Sequence, residues 1–436
     1  MRFIPVLIII VVIAFLPSVL YSRHILKEKH AVTGGIVAAY AIPTMLILLF
    51  ILLQFATRSG MLDFKVMQWA LWGFILTILP ANIYALFYIL DKIVKLFTKK
   101  SCRTLHYIGA VMALIVALGL IIGMATRHCI KVREVTIYSK NLPKEFDGIR
   151  IAHITDLHLG NLSPRDSYLK KIVAKLNEIN PDILACTGDM MNLTAKEVDG
   201  LDGLFTSIEA PLGRYAVMGN HDYGDYSKWE SEEAKHANLM AAYEAYRRVG
   251  FVLLNDSAIQ ITDNRVLSID TSNYSHVSGE YTESLATSYC PPVLGERAER
   301  RGLNLATISI IGVENCGKPP FPCYGDLAEA TDGFEPTQFN ILLSHDPNHW
   351  MEEVVSDKYK YIDLTLSGHT HSAQMGIDLD DFKWSPSQWI FDQWDGLYQE
   401  GSQYLFVSRG LGYVGIPFRL GMPAEISVIE LKVENY

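Results

Sequence analysis

Acidic residues are nearly missing from the first 130 positions: Glu28, Asp63 and Asp91 stand against 12 Lys and Arg. Charge of either sign is absent from the interior of four stretches there, Phe3–Leu20, Ala31–Phe55, Val66–Leu90 and His106–Ala125. Each has about the 20 apolar residues that a helix needs to cross a bilayer core. These absences exclude a single water-soluble domain over the whole chain, and they exclude a disordered one. No ionisable group inside a span marks an ion path, which argues against transport. No small-x-small cleavage site follows the first stretch, and a charged loop leads on to the second, so it is expected to be an anchor rather than a cleaved signal. Pro17, Pro43 and Pro80 fall within the stretches, where membrane helices tolerate them. Residues 1–130 are therefore predicted to be four transmembrane helices.

The remainder differs in kind. Residues 131–436 hold 26 Lys and Arg against 44 Asp and Glu, within a formal net charge of −9 for the chain. This piece is long enough for a core of its own. Its acidity disfavours a nucleic-acid partner, because phosphate contacts need clustered cations. The short loops carry 8 Lys and Arg on one side (Arg23, Lys27, Lys29, Lys92, Lys95, Lys99, Lys100, Arg103) and 6 on the other (Arg2, Arg58, Lys65, Arg127, Lys131, Arg133). That bias puts loops one and three in the cytoplasm. A multi-pass protein of the cell membrane is expected, with both termini and the acidic domain extracytoplasmic. Cysteine is scarce too, at six residues. Cys186 sits in an apolar run and reads as core. Cys316 and Cys323 bracket Gly-Lys-Pro-Pro-Phe-Pro; a disulfide and two unpaired thiols both remain open, and Cys290 is another partner for either.

Short β-rich runs alternate with helical ones from about Asp147. Strands are predicted at Ile149–Thr155, Asp182–Thr187, Arg214–Met218, Phe251–Leu254, Ile259–Thr262, Val266–Asp270, Ala306–Val313, Phe339–Leu343, Ile362–Leu366, Tyr404–Ser408 and Ile426–Val433. Leu169, Ile172, Val173, Leu176 and Ile179 share one helical face, with Ser163 as the expected cap and Pro181 as the stop. Helices are also expected over Ala195–Ser207 and over Trp229–Val249, the latter ended by Gly250. Residues 272–302 have no clear period and read as an insertion or loop. Alternating strands and helices argue for layered α/β structure; the late strands add mixed sheet character.

The polar residues fall at the strand ends. Asp156-Leu-His158, Gly188-Asp189, Gly219-Asn220-His221-Asp222, His345 and Gly368-His369-Thr370-His371 each follow a strand-like run. Strand ends converge at one edge of an α/β sheet, so dispersed residues can meet there. The set is carboxylate, imidazole and amide with no thiolate, which argues against a closed structural zinc site and favours Mn, Fe, Zn or a similar divalent ion. Seven ligands exceed what one catalytic metal with open positions uses; they suit two ions about 3.5–4 Å apart.

These five ordered blocks resemble those of the calcineurin-like metallophosphoesterase superfamily, over residues 146–433. Ser408-Arg409-Gly410-Leu411-Gly412 and Pro423-Ala-Glu425-Ile426 resemble its membrane-associated branch. The resemblance implies a four-layer α/β sandwich with mixed sheets, preceded here by the four-helix transmembrane region. It implies two divalent ions: Asp156, His158 and His371 hold the first, Asn220, His345 and His369 the second, and Asp189 bridges both. Such ions make hydroxide available near neutral pH and neutralise phosphate oxygens. His221 is the expected catalytic proton donor. Here the chain departs from the commonest pattern, in which Gly-Asp is followed by x-x-Asp pairing with that histidine; this chain has Met190-Met191-Asn192. An Asn192 amide orienting the ring from behind would leave His221 less readily protonated than its counterparts. Ser372-Ala373 replaces the Gly-Gly of many relatives.

His153 reads as core. Arg409 and Arg419 are open between a substrate phosphate and structural ion pairs; Trp384, Trp389, Trp394 and Tyr398 are open between a wall for an acyl chain or base and ordinary packing. The expected function is a membrane-anchored phosphoesterase acting on a phosphodiester, pyrophosphate or phosphomonoester. Tethering points to a bilayer-borne, lipid-linked substrate. The alternative is a catalytically idle phosphoesterase fold serving as a membrane sensor or scaffold.

Overall fold

The structure, a computed structural model, describes residues 64–162, 165–262, 265–269, 306–319, 321–379 and 382–434. The first two apolar stretches, Ser163, Cys290 and the predicted insertion at 272–302 lie outside the described residues. The chain divides into two units.

The first comprises residues up to Arg127 together with Gly415–Leu420. Its described helices are α1, Phe64–Thr98, and α2, Arg103–Thr126. Both are long and apolar enough to cross a membrane. Cys102 gives α2 no side-chain cap. The buried Asp91 carboxylate does that work instead, accepting the Cys102 N–H at 2.6 Å and the Ser101 hydroxyl at 3.0 Å, where a negative charge suits a helix N-terminus. Near the other end of α2, the Phe418 ring leaves no room for a Cβ on Gly123, and the Arg419 N–H donates to the Gly123 carbonyl at 2.9 Å.

The second unit, from His128 onward, is built on two mixed sheets. The first contains β1 (Ile130–Ser139), β2 (Arg150–Ile154), β3 (Ile183–Cys186), β4 (Arg214–Ala216), β5 (Val252–Leu253) and β15 (Ala424–Val433), in the order β1-β15-β2-β3-β4-β5. The second contains β6 (Ser257–Thr262), β7 (Arg265–Ile269), β8 (Thr307–Gly312), β9 (Phe339–Leu343), β10 (Leu364–Ser367), β13 (Gly396–Glu400) and β14 (Gln403–Val407), in the order β13-β14-β10-β9-β8-β6-β7. Strands β2 to β5 run parallel, as do β8, β9, β10 and β14. A separate two-stranded ribbon pairs β11 (Ile377–Leu379) with β12 (Phe382–Trp384).

The period-two alternation of the strands assigns each residue to a core. Ile151, Ile183 and Ala185 face Ile310, Ile341, Leu366 and Phe406 between the sheets. Their neighbours Ala152, Leu184 and Cys186 face outward, beneath α3 (Ser167–Ile179) and α4 (Glu232–Val249). The outer face of the second sheet is covered by short helical turns carrying Leu327, Trp350, Val354 and Tyr359. The central strands β3, β9 and β10 are buried on both faces, which is why they read as continuous apolar runs.

Several expectations shift in detail. The cap of α3 is Asp166, whose side chain accepts the Tyr168 N–H at 2.9 Å; Asn180, in the left-handed region at φ 50°, ends the helix just before Pro181. Ser231 caps α4 and Gly250, at φ 111°, stops it. The helix expected over Ala195–Ser207 is not formed: a 3₁₀ turn covers Ala195–Val198, and Gly200 and Gly203, at φ 81° and 69°, turn the chain away from helical geometry. Strands β1, β11, β12 and β13 are additions to the predicted set. Cys316 and Cys323 form a disulfide with their Cα atoms 3.8 Å apart.

Candidate active site

The site lies at the ends of β2, β3, β9 and β10 and in the loop after β4. The chain leaves these strands by sharp turns. Asp156, His158, Asp189, His369 and His371 all sit in the left-handed region, at φ 52°, 46°, 53°, 68° and 49°. Non-glycine residues at such angles cost energy and concentrate at functional sites. The glycines in the motifs have a packing reason. A Cβ on Gly188 would stand 2.4 Å from the Gly219 nitrogen, and one on Gly219 would stand 2.2 Å from Asp189 Oδ1.

Two groups of donor atoms result: Asp156, His158 and His371, and Asp189, His345 and His369. In the first, His158 Nε2 lies 3.1 Å from His371 Nε2, and His371 Nε2 lies 3.3 Å from Asp156 Oδ1. In the second, His345 Nε2 lies 3.3 Å from His369 Nδ1, 3.2 Å from Asn220 Oδ1 and 3.3 Å from Asp189 Oδ2. Asp189 Oδ2 also stands 3.7 Å from His158 Nε2, so one oxygen adjoins both groups. All seven expected ligands are thus brought together. Donors held at bonds of about 2.1 Å in tetrahedral or octahedral shells stand roughly 3.0–3.4 Å apart. The residues present fit a pair of divalent ions by spacing and by chemistry.

The electrostatics divide the donors. Burial lowers His158 to about 3 and His369 to about 4, so both rings are neutral with a lone pair to offer. His345 is different: burial opposes its charge, but the Asp189 carboxylate outweighs that and carries it up to about 10. Burial raises Asp156 to about 7. The Asp189–His345 pair takes the opposite form, with Asp189 held well below the carboxylate range despite its burial.

His221 stands half-buried at the edge of the group. Its main-chain N–H donates to Asp189 Oδ1 at 2.9 Å, and its ring packs edge-to-face on His158 with centroids 4.9 Å apart. Asn192 does touch it, but through its main-chain carbonyl, 2.8 Å from His221 Nδ1. The Asn192 side-chain amide turns away, toward the His158 carbonyl at 3.4 Å. The orienting role expected of that amide is therefore corrected. A carbonyl accepts only from N–H, which fixes the hydrogen on Nδ1 and leaves Nε2 as the exchangeable position.

The sequence assigns no role to three further residues, of which Asp222 stands there only as part of its block. Asp222 is buried and accepts the N–H groups of Asp189, Met191 and Gly219, each at 2.9 Å, and the Tyr246 hydroxyl at 2.7 Å. It ties the β3 and β4 loops together. Tyr226 accepts the Asn220 amide N–H at 2.7 Å, which turns Asn220 Oδ1 inward, and its ring lies 4.4 Å from that of His221. Asp346 faces His369 Nε2 at 3.6 Å and is held by the Asn348 N–H at 2.9 Å. Asp222 and Asp346 each follow a motif histidine directly, which was the available signal. Phe321 and Phe391 close the side of His369 edge-on, at 4.5 and 5.4 Å.

His153, Arg409, Trp394 and Tyr398 are held in structural contacts. His153 is buried and bonds Thr187 Oγ1 at 2.8 Å. Arg409 is buried in an ion cluster, with Nε 2.7 Å from Asp395 and Nη2 2.7 Å from Asp378. Arg419 is buried as well. Trp394 accepts the Thr370 hydroxyl on its carbonyl at 2.8 Å, and the Tyr398 hydroxyl accepts the Trp394 N–H at 3.0 Å.

Residues 149–373, more than half of the chain, match the sequence profile of the calcineurin-like phosphoesterases. The chain belongs to that family. As a calcineurin-like phosphoesterase it is a phosphoric ester hydrolase of a class that uses divalent metals. It is similar to the uncharacterized metallophosphoesterase YkuE of Bacillus subtilis (28% identity, covering 71% of this chain and 87% of that one). It is also similar to the UDP-2,3-diacylglucosamine pyrophosphatase LpxG of Chlamydia trachomatis (29%, covering 64% and 83%). A transmembrane protein with a metallophosphoesterase domain from Danio rerio is 27% identical, covering 69% of this phosphoesterase and 57% of the relative.

Proposed function

We propose that this phosphoesterase is anchored in the cell membrane by several helices and hydrolyses a lipid-linked phosphoric ester or anhydride, with its hydrolytic domain on the extracytoplasmic side. The observation that carries the chemistry is the convergence of seven donors in two groups that both adjoin Asp189 Oδ2. Asp156, His158 and His371 would hold one divalent ion, Asn220, His345 and His369 the other, and Asp189 both. When bound, such a pair acidifies water and neutralises phosphoryl oxygens.

The chain's own residues do the rest. Asp222 and Tyr226 set the positions of Asp189 and Asn220 before substrate arrives, so the reaction does not have to reorganise them. His221, with Nδ1–H held by the Asn192 carbonyl, presents Nε2 as the atom that delivers a proton to the departing oxygen. Phe321 and Phe391 limit water beside His369. The lipid-linked substrate is supported by two apolar helices and by the similarity to a pyrophosphatase named for a diacylated sugar nucleotide.

The test is turnover by the purified full chain, loaded with Mn²⁺ in detergent, of bis(p-nitrophenyl) phosphate and of a lipid-linked pyrophosphate. Asp189→Ala is expected to abolish turnover and lower bound metal. His221→Ala is expected to abolish turnover with metal retained. Retained turnover in Asp189→Ala, or none in the parent on any diester, monoester or pyrophosphate, contradicts the proposal.

A further inference from the structure

The β11–β12 ribbon is inside out. Its register pairs Ile377 with Trp384, Leu379 with Phe382, and Asp378 with Lys383. Directly paired residues share a face, so one face is wholly apolar and the other is charged. In a sheet with one wet side the apolar face turns to the core. Here the charged face does: Asp378 meets Arg409 at 2.7 Å and Lys131 at 3.4 Å, and Lys383 meets Asp395 at 2.7 Å. The apolar face is left outside, with Ile377 45%, Leu379 62% and Phe382 54% exposed. The patch continues through Trp384, whose ring packs edge-on against Trp389 at 5.9 Å. Trp389 and Ile390 are 73% and 72% exposed. A contiguous exposed patch of this kind marks an interaction site.

Chain connectivity says what covers it. Three residues separate Thr126, the last of α2, from Ile130, the first of β1. A helix that crosses the bilayer therefore delivers β1 to within about 14 Å of where it leaves the membrane, at roughly 3.5 Å per residue. The ribbon is fastened to that start of β1, through Lys131 and through Arg133, which reaches Asp395 at 3.1 Å. Trp at the edge of an apolar patch, with Lys beside it, is the composition of a membrane–water interface.

We propose that the apolar face of the β11–β12 ribbon, with Trp389 and Ile390, docks on the surface of the lipid bilayer. The ribbon runs directly into the wall of the site: the Ser385 hydroxyl donates to the Ser372 carbonyl at 2.6 Å, and Phe391 packs on His369. Docking thus sets the site at the headgroup layer, where a lipid-linked phosphate is found. That consequence rests on the hydrolysis proposed above; the docking surface rests only on the proposed anchoring through α2.

The test places bimane on Leu379→Cys, Ile390→Cys or Lys171→Cys, in the full chain with Cys102, Cys129 and Cys290 changed to Ser, in phosphatidylcholine–phosphatidylglycerol vesicles. Doxyl-labelled lipid is expected to quench positions 379 and 390 several-fold more than 171, and aqueous iodide to do the reverse. Iodide quenching at 379 and 390 equal to that at 171, without lipid quenching, overturns the proposal. So does protection from both quenchers with cross-linking between Leu379→Cys copies, which would make the occupant a second chain. Phe382→Asp is expected to lower the ratio of vesicle-borne to soluble-substrate turnover about tenfold, because interfacial binding scales with buried apolar area; an unchanged ratio counts against it. Lipid quenching in a chain with no turnover on any substrate would sustain the surface and remove the proposed function.

Discussion

Replacing Asp395 by Ala tests whether the ion cluster behind the ribbon is a structural element. The Asp395 carboxylate accepts from Arg409 Nε at 2.7 Å and Nη2 at 3.0 Å, from Arg133 Nη1 at 3.1 Å and from Lys383 Nζ at 2.7 Å. The Arg409 and Asp395 side chains are both fully buried. Without Asp395, the Arg409 guanidinium retains Asp378 at 2.7 Å and Glu425 at the looser distance of 3.6 Å. Removing one partner of a buried pair costs about 3–5 kcal/mol, because a desolvated charge is left behind. In a domain of this size that lowers Tm by roughly 10 °C. The assay is thermal unfolding of the full chain in detergent, followed by near-UV circular dichroism. In a double-mutant cycle, Asp395→Ala with Arg409→Met is expected to cost less than the two single changes together. Burial opposes the Asp395 charge, but Arg409 and Arg133 outweigh it and hold the carboxyl well below its ordinary value. Its contribution is therefore full above the unfolded value of about 3.9 and is lost as pH falls below that toward the folded one, so the deficit of the variant should shrink in acid. A Tm change under about 2 °C at neutral pH, or strictly additive effects, would refute the reasoning.

Asp222→Asn puts an amide where a carboxylate accepts three main-chain N–H groups; metal affinity or activity should fall by about 10–100-fold with the fold retained, as measured by metal titration and circular dichroism. Asn192→Ala should keep turnover within about threefold, because the group that holds His221 is a main-chain carbonyl; a loss above about tenfold would show that the side chain matters. Burial holds His153 down at about 3, so it is neutral when folded and takes up a proton on unfolding below about pH 6.5. Stability should therefore fall as pH drops from about 6.5 toward 3, and His153→Gln should flatten that slope in urea titrations at several pH values.

The expected ligands were legible because each follows a strand whose apolar run is plain, and because parallel strands bring their ends to one edge. Asp222 and Asp346 were harder to read because their role is to hold other groups, and nothing in their spacing reveals which N–H they will meet. Tyr226 lies six residues beyond Asn220, in a loop with no periodicity. The Ala195–Ser207 segment has helical composition, and its two glycines decide otherwise by adopting positive φ. Strand β1 was hidden by its place directly after α2, and by the exposed residues of an edge strand, which leave only a weak apolar alternation. The β11–β12 ribbon was missed for the opposite reason: three-residue strands give too little pattern, and their apolar residues suggest burial where the structure exposes them.

The central claim is that two divalent ions share Asp189. Anomalous X-ray scattering from crystals of the Mn²⁺-loaded chain measures this directly. Two peaks about 3.5–4 Å apart are expected, one among Asp156, His158 and His371 and the other among Asn220, His345 and His369, with Asp189 in reach of both. A single peak, or none within coordinating distance of Asp189, would contradict the account.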